Sequence, residues 1–340
     1  MPRPNAPRKI AKKSPRSLAT RSLARAVVVA VLLGCNDATG PSGPTNPADA
    51  VFVTSDVANF WAAYDAGSKT GSASAFQSKY LDQASAGLRE FIKSRSVTAT
   101  SLVQMVQAYP QYFAAIRANA LSFVQQPIVI GRIRANYERI ESLYPAAVYP
   151  PVTFLVGRFS TMGTTQSTGI LIGTEFFGMD DTTPLQELNS FARANVHPFD
   201  SLPAIIAHEH THVLQSQARQ LMSKPLKTLL DQSLLEGSAD FVAELVSGSH
   251  PNTLIYEWAL PREHDLWLEF QQVMNGRDVS QWLYNQGSAT PDRPGDLGYF
   301  IGYRIVQAYY TKTPDKTAAL RDIIEMKDGA DFLAASGYNP

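Results

Sequence analysis

Apolar residues in the second half of the chain recur at intervals of three and four, the spacing of helices that bury one face. The pattern predicts helices over residues 201–222, 229–246, 253–274, 299–310 and 317–326. Asp200 and Ser201 offer capping oxygens before the first of these, and Pro203 suits its first turn. No glycine or proline interrupts the rest of that segment, so we expect a long helix there.

Residues 54–145 follow the same helical spacing, with loops predicted at Gly71 and Pro110. Two runs rich in β-branched and aromatic residues come next, at 152–160 and 168–177. A segment of Gly, Thr and Ser joins them, which predicts a β-hairpin as the only clear sheet. The predicted fold class is therefore mainly α, of the α+β type.

The segment HEHTH at 208–212 lies within the first of the long helices. His208 and His212 are four residues apart and so share one helix face, with Glu209 beside the first of them. Two imidazoles on one face can bind one zinc ion, and the adjacent carboxylate can act on a water molecule at the open position of that ion. The segment predicts the site of a zinc hydrolase.

The next predicted helix carries three carboxylates, Glu236, Asp240 and Glu244, at successive four-residue steps. Apolar residues flank this stripe on both sides, which predicts a helix that is buried around most of its circumference. Buried carboxylates need a cation or hydrogen-bond donors. We expect Glu236 to be the third zinc ligand and Asp240 to accept the free ring N–H of His208. Gly237 would allow the two helices to approach closely.

Five segments resemble the gluzincin branch of zinc metalloproteases, and within it the predicted zinc-dependent proteases found among bacterial lipoproteins and secreted proteins. The segments are TGILIGTEFFG, AHEHTHVLQ, LLEGSADFV, GYFIGYRIVQAYY and FLAASGY, which together span roughly residues 168 to 337. The resemblance implies a zincin-like two-lobed fold. The helical first lobe and the hairpin would form one wall of a cleft, the helices after residue 250 the other wall, and HEHTH its floor.

The resemblance also implies that His208, His212 and Glu236 bind zinc, that Glu209 is the general base and that Asp240 orients a ligand histidine. The expected activity is hydrolysis of peptide bonds by zinc-activated water. Leu235 stands where the best-known gluzincins have Asn, and the interval between His212 and Glu236 is a few residues longer than theirs. The longer interval leaves Asp240 and Glu244 as alternative ligands.

A developing oxyanion requires a further hydrogen-bond donor. The candidates are His264, Tyr299, Tyr303 and Arg304, among which we prefer Tyr303. The remaining histidines are interpreted as incidental: His197 and His250 each precede a proline, and His210 points away from the face of His208.

In zincins an edge strand runs antiparallel to the bound peptide, and the strand predicted at 168–177 is the candidate for this role. The predicted substrate-binding residues are Ile170, Leu171, Ile172, Gly173 and Thr174. The alternative is a strand with a structural role alone.

The amino-terminal segment has the composition of a bacterial lipoprotein signal peptide. It carries eight Lys and Arg residues and no acidic residue, followed by a short apolar run at 26–33. LLGC at 32–35 resembles a lipobox, so we expect Cys35, the sole cysteine, to carry a lipid. A basic arm for nucleic acid would explain the charges but not the apolar run.

This interpretation divides the chain into a signal peptide with its lipobox at 1–35, a flexible tether at 36–50 and a metalloprotease domain at 51–340. Within that domain we expect a helical amino-terminal lobe at 51–150, the hairpin and the zinc-binding helices at 151–250, and a helical carboxy-terminal lobe at 251–340.

Without residues 1–34 the chain carries 22 basic and 30 acidic residues, a net charge of −8. Such a surface argues against nucleic acid as a partner and against electrostatic attachment to anionic membranes. We expect a peptide or protein substrate of the cell envelope, membrane attachment through the lipid on Cys35, and Zn2+ as the cofactor. Two alternatives are a catalytically inactive relative that binds peptides or envelope polymers, and a protein whose zinc is structural.

Overall fold

The computed structural model describes residues 41–220, 228–290 and 292–340. The predicted signal peptide, Cys35 and the first residues of the predicted tether lie outside these ranges. Among the described helices, none combines the length and the apolar character that crossing a membrane requires.

The first half of the described chain is helical, as the spacing of its apolar residues predicted. Its helices are α1 (Ser55–Gly67), α2 (Ala73–Lys79), α3 (Ala86–Arg95), α4 (Ala99–Ala108), α5 (Pro110–Gln125) and α6 (Ile128–Leu143). Pro110 begins α5, where the missing N–H of proline has no helical partner to lose. Gly71 separates α1 from α2 with a φ of 66°, a conformation that glycine adopts without strain.

A four-stranded sheet has the strand order β1-β2-β4-β3. Its strands are β1 (Phe52–Val53), β2 (Val152–Leu155), β3 (Gly163–Gln166) and β4 (Gly169–Gly173). The two strands predicted to form a hairpin are β2 and β4, and they run parallel, with Val152 opposite Ile170. The predicted hairpin is therefore wrong.

The antiparallel partner of β4 is β3, which comes from the segment predicted to be a loop. Its threonines are β-branched and fit a strand, although the neighbouring glycines resemble loop sequence. The carboxylate of Glu90 in α3 accepts the backbone N–H groups of Ser167 and Thr168, at 3.2 and 2.9 Å, and so stabilises the turn between β3 and β4. This contact between distant parts of the chain has no local sequence signal.

The second half is also helical, with α7 (Ser190–Asn195), α8 (Leu202–Gln220), α9 (Leu229–Ser247), α10 (Thr253–Ala259), α11 (Glu263–Val273), α12 (Leu297–Lys312), α13 (Lys316–Ile324) and α14 (Gly329–Ser336). The helix predicted over 253–274 is divided into α10 and α11 by a 3-10 turn that contains Pro261. Proline lacks the N–H that a continuous helix would use there.

Helix α9 is buried around most of its circumference and packs between α8 and α12. A Cβ on Gly237 would lie 2.1 Å from the backbone nitrogen of Tyr303, and a Cβ on Gly302 would lie 1.7 Å from the carbonyl oxygen of Ser233. Gly237 therefore permits the close approach of α12, and not that of α8 as predicted from the sequence.

Residues 41–50 contact the rest of the protein. The backbone N–H of Tyr149 donates to the backbone carbonyl of Pro44 at 2.8 Å. The side-chain amide of Gln217 donates to the backbone carbonyl of Pro41 at 3.1 Å. Arg134 donates to the carbonyls of the 47–50 segment. The tether predicted over 36–50 is therefore wrong for 41–50.

Candidate functional site

Helix α8 directs the residues of HEHTH to different sides. His208, Glu209 and His212 line a cavity. His210 is buried between two tyrosine rings, and its Nε2–H donates to the carbonyl of Val148 at 2.6 Å. Burial lowers the pKa of His210 to about 4, so this imidazole is neutral. The placement of His210 agrees with the prediction that it points away from His208.

Helix α9 places Glu236 beside the imidazoles of His208 and His212. Its Oε2 lies 3.2 Å from Nε2 of His212 and 3.6 Å from Nε2 of His208. The two Nε2 atoms are 3.1 Å apart. In a tetrahedral zinc site with bonds of about 2.0–2.1 Å, ligand atoms lie about 3.3–3.4 Å from one another. The triangle formed by these three atoms therefore has the size that a zinc ion requires.

The partners of the two Nδ1 atoms determine the tautomer of each imidazole. The side-chain amide of Gln215 donates to the carbonyl of Leu235 at 3.2 Å, so its Oε1 is the atom that accepts from Nδ1 of His212 at 2.9 Å. Nδ1 of His208 donates to Oδ1 of Asp240 at 2.7 Å. With both Nδ1 atoms protonated, each neutral imidazole presents a lone pair at Nε2.

Three electron-pair donors therefore converge on one point, namely Nε2 of His208, Nε2 of His212 and Oε2 of Glu236. Within the described residues, this buried oxygen of Glu236 has no hydrogen-bond partner. An uncompensated cluster of this kind is costly inside a protein. The donor set of two imidazoles and one carboxylate is one that zinc accepts, and it leaves a fourth position open.

The electrostatics also indicate a site for a cation. Burial works to lower the pKa of His208, but its hydrogen bond to Asp240 and the nearby carboxylate of Glu236 outweigh burial and raise that pKa well above the ordinary value. Burial works to raise the pKa of Glu236, but the neighbouring imidazoles of His212 and His208 hold it well below the ordinary value. The cluster thus favours one positive charge at its centre, which either a proton or a metal ion can supply.

The other two carboxylates of α9 do not join this triangle. Asp240 accepts from His208 through Oδ1 and from the side-chain amide of Asn252 through Oδ2, both at 2.7 Å. Glu244 accepts a hydrogen bond from the hydroxyl of Tyr303. Over the described part of the chain, His208, His212 and Glu236 are the group whose atoms can share a metal ion. Asp240 lies where the sequence predicted an orienting carboxylate.

The cavity above these residues has a volume of about 150 Å³. One side comes from residues 161–195 and includes the apolar side chains of Met162, Phe176 and Phe191. The opposite side comes from residues 251–299 and includes Asn252 and Tyr299. Lys and Arg are absent from the described residues that line it. A mostly apolar cleft with a few converging polar groups is the usual form of a binding site.

Glu209 lies in this cavity beside β3. A Cβ on Gly163 would lie 2.5 Å from its Oε1, so the absence of a side chain at Gly163 makes room for the Glu209 carboxylate. Burial raises the pKa of Glu209 above its ordinary value of 4.5. A carboxylate with a raised pKa next to an open ligand position is suited to accept and release a proton.

Three of the four candidate oxyanion donors are engaged elsewhere. Tyr303, the preferred candidate, donates to Glu244 and is not among the residues that line the cavity. Arg304 pairs with Glu263 at 2.6 Å, and His264 donates to a backbone carbonyl at the end of the described chain. The preference for Tyr303 is therefore wrong, because this residue lies one turn farther along α12, where its hydroxyl meets Glu244 of α9 and not the cavity.

Tyr299, one turn earlier on α12, does line the cavity. Its ring lies parallel to that of His208, with 6.4 Å between the ring centroids. Burial raises the pKa of Tyr299 well above its ordinary value, and the negative charge of Glu236 adds to this shift. The phenol is therefore neutral and keeps the proton that a hydrogen-bond donor needs.

The sequence analysis missed several residues that line the cavity, among them Tyr284 and Asp296. The hydroxyl of Tyr284 donates to Oε1 of Glu236 at 2.7 Å. Asp296 lies just before α12, and burial raises its pKa to about 6. The loop between them, rich in Gly, Pro and polar residues, carries no motif, so only the tertiary structure connects it with the site.

The substrate-binding strand predicted from the sequence is also wrong. Strand β4 pairs with β2 on one side and with β3 on the other, so Ile170–Gly173 have no free edge to which a peptide could be added, and Thr174 lies beyond the strand at the start of a 3-10 turn. The edge strand of the sheet next to the cavity is β3, whose first residue, Gly163, lines it.

The search of curated proteins and the search of solved structures each found no match to this chain. The sequence model of a protein family described as gliding motility protein GldB matches residues 48–340. That family is one of lipoproteins, which is consistent with the lipid anchor predicted at Cys35. Because the match covers most of the chain, the protein belongs to the GldB family of gliding motility lipoproteins.

Proposed function

We propose that this protein is a lipid-anchored zinc metallopeptidase of the bacterial cell envelope. His208, His212 and Glu236 would bind zinc, and Glu209 would be the general base. The observation that carries the proposal is the convergence of two imidazole nitrogens and one carboxylate oxygen, 3.1 to 3.6 Å apart, in which the buried Oε2 of Glu236 has no hydrogen-bond partner among the described residues. A hydrolytic zinc site has three protein ligands at this spacing, a fourth position that is open to water, and a carboxylate beside that position, which is the place of Glu209 here.

A zinc ion bound there would supply Lewis-acid activation of a water molecule and of the scissile carbonyl. Glu209 would take a proton from the attacking water and deliver it to the leaving amine. Asp240 would hold His208 in the tautomer that presents Nε2, since its Oδ1 accepts from Nδ1 at 2.7 Å. Gln215 would do the same for His212.

Tyr299 is our proposed donor to the developing oxyanion. It lines the same cavity, and its raised pKa keeps the phenol protonated. We further propose that the substrate backbone lies along the free edge of β3, where Gly163 allows a close approach. The cavity between residues 161–195 and 251–299 would then correspond to the cleft of a zincin-like two-lobed fold.

The substrate would be a peptide or protein of the cell envelope, within reach of a chain anchored through Cys35. The family description refers to gliding motility. We propose that this chain serves the same process by cleaving an envelope protein.

The test is to measure bound zinc per chain after a chelator wash, using full-length protein in detergent. Wild type should retain about one zinc ion, and Glu236→Gln should retain it much more weakly. Glu244→Gln is the matched control, because this residue lies on the same helix and bonds to Tyr303 instead of the imidazoles. A peptide library should then be cleaved by wild type and not by Glu209→Gln.

Two results would overturn the proposal. If wild type binds no zinc, the metallopeptidase proposal fails, and the alternative of a catalytically inactive binding module is favoured. If zinc is bound but the library is not cleaved, and an additional protein ligand closes the fourth position, the zinc is structural.

A further inference from the structure

The two oxygens of the Glu236 carboxylate have different surroundings. Oε2 faces the imidazoles of His212 and His208, at 3.2 and 3.6 Å. Oε1 accepts the hydroxyl of Tyr284 at 2.7 Å, across a sequence separation of 48 residues. The carboxylate is thus divided into one oxygen for the metal and one for the phenol.

This division matters for the coordination number of the ion. A carboxylate with two unengaged oxygens can bind a metal through both, which adds a ligand atom and occupies space that a catalytic site keeps open. A phenol on Oε1 favours binding through Oε2 alone and determines the plane of the carboxylate. Hydrogen bonds of this kind to a ligand carboxylate commonly tune metal affinity.

Hydrogen bonds of the neighbouring residue, Asn285, connect the segment that carries Tyr284 to the start of α12. The next residue, Asn285, exchanges two hydrogen bonds with Asp296: its backbone N–H donates to Oδ1 of Asp296 at 2.8 Å, and its Oδ1 accepts the backbone N–H of Asp296 at 2.6 Å. Asp296 directly precedes α12, the helix whose backbone touches α9 at Gly302. The contacts therefore connect Glu236 on α9, through Tyr284 and the Asn285–Asp296 pair, to α12.

The backbone of this segment is strained in a way that only surrounding contacts can maintain. Tyr284 has a φ of 57° and Asp296 a φ of 60°, both in the left-handed region. For residues other than glycine this conformation is unfavourable, because Cβ crowds the backbone. Such conformations concentrate where a side chain must be presented in one direction.

We propose that Tyr284 is a positioning residue that makes Glu236 a single-oxygen ligand, and that the Asn285–Asp296 pair holds Tyr284 in place for this purpose. The proposal rests on the zinc site proposed above. It adds a residue outside both metal-binding helices, and it concerns how the metal is bound and not whether the chain hydrolyses peptides.

The experiment uses full-length protein in detergent. One measurement is the zinc affinity, by competition with a chelator. The other is the visible absorption of the Co2+-substituted protein, because its intensity reports the coordination number of the metal. Tyr284→Phe removes only the hydroxyl. Tyr303→Phe is the matched control, because it removes a tyrosine-to-glutamate hydrogen bond to the same helix, at Glu244. We expect Tyr284→Phe to lower zinc affinity about 10- to 100-fold and to weaken the Co2+ absorption, and Tyr303→Phe to change neither.

A second pair of variants tests the Asn285–Asp296 pair. Asn285→Ala should lower zinc affinity, and the double variant with Tyr284→Phe should be no weaker than Tyr284→Phe alone, because both changes act through one contact. Equal zinc affinity and equal Co2+ spectra in wild type and Tyr284→Phe would overturn this inference and leave the metallopeptidase proposal standing. Absence of zinc from wild type would overturn both.

Discussion

Gly163 of the edge strand lies directly against the carboxylate of Glu209. A Cβ added at Gly163 would be 2.5 Å from Oε1 and 2.8 Å from Cδ of that side chain, closer than non-bonded atoms approach. One glycine therefore determines whether the proposed base can occupy its place in the cavity.

Gly163→Ala should displace Glu209 without removing it. We expect turnover to fall about 100-fold, the scale associated with a displacement of about 1 Å, while bound zinc stays at the wild-type level. Thr165→Ala is the control, since Thr165 lies on the same strand and reaches only the backbone carbonyl of Glu209, at 3.5 Å. If both variants cleave a substrate peptide as fast as wild type, the close contact has no catalytic consequence.

Glu209→Gln should keep the metal and lose the chemistry, because an amide cannot accept the proton of the attacking water. We expect zinc content equal to that of wild type, with turnover lower by several orders of magnitude. Parallel measurements of bound zinc and of peptide cleavage check this. Cleavage at the wild-type rate would eliminate Glu209 as the base.

Asp240→Asn should weaken zinc binding without removing a ligand. The carboxylate accepts from both His208 and Asn252, and an amide cannot accept on both sides at once. We expect zinc affinity to fall about 10- to 100-fold in competition with a chelator. An affinity equal to that of wild type would show that His208 does not depend on this partner.

Gly302→Ala should force α9 and α12 apart, because the new Cβ would meet the carbonyl oxygen of Ser233 at 1.7 Å. Backbone atoms cannot yield as flexible side chains do, so we expect the free energy of unfolding to fall by about 3 kcal/mol or more. Gly131→Ala is the control: it lies in α6 with nothing within 4 Å of the added Cβ, and it should stabilise the helix by up to about 1 kcal/mol. Urea unfolding of the two variants compares these effects, and similar stabilities would contradict the tight helix contact.

Glu175 should make stability depend on pH. Burial raises its pKa from 4.5 to about 7, although the backbone N–H groups of Gly157 and Phe159 work in the opposite direction. Since the folded-state pKa is the higher one, the stabilisation from protonated Glu175 is fully present below about pH 4.5 and is lost as the pH rises through about 7.

Over this interval wild type should lose on the order of 3 kcal/mol relative to Glu175→Gln, whose side chain does not ionise. Urea unfolding between pH 4.5 and 7.5, with a chelator present to suppress metal binding, measures the difference. Glu138→Gln, an exposed change on α6, should follow the wild-type pH dependence. A parallel course for wild type and Glu175→Gln would contradict the raised pKa.

The sequence by itself determined the features that depend on local helical geometry. Residues four apart must share a helix face, so His208 and His212 could be placed together, and the same spacing placed Glu236 and Asp240 on one stripe of the next helix. The apolar flanks of that stripe predicted its burial. The positions of α8, α9 and α12 follow from the same periodicity, which does not require knowledge of what each helix packs against.

Only the tertiary structure decided which partners these elements meet. Tyr299 and Tyr303 lie on the same face of α12, one turn apart, and the position of α12 along α9, where Gly302 meets Ser233, decides which of them reaches the cavity. The order of the strands, which leaves β3 and not β4 at the edge, depends on a parallel pairing between distant segments. Tyr284 reaches Glu236 across 48 residues through a strained loop. Contacts of this kind leave no periodic signal in the chain, because they result from packing between elements and not from the conformation within one.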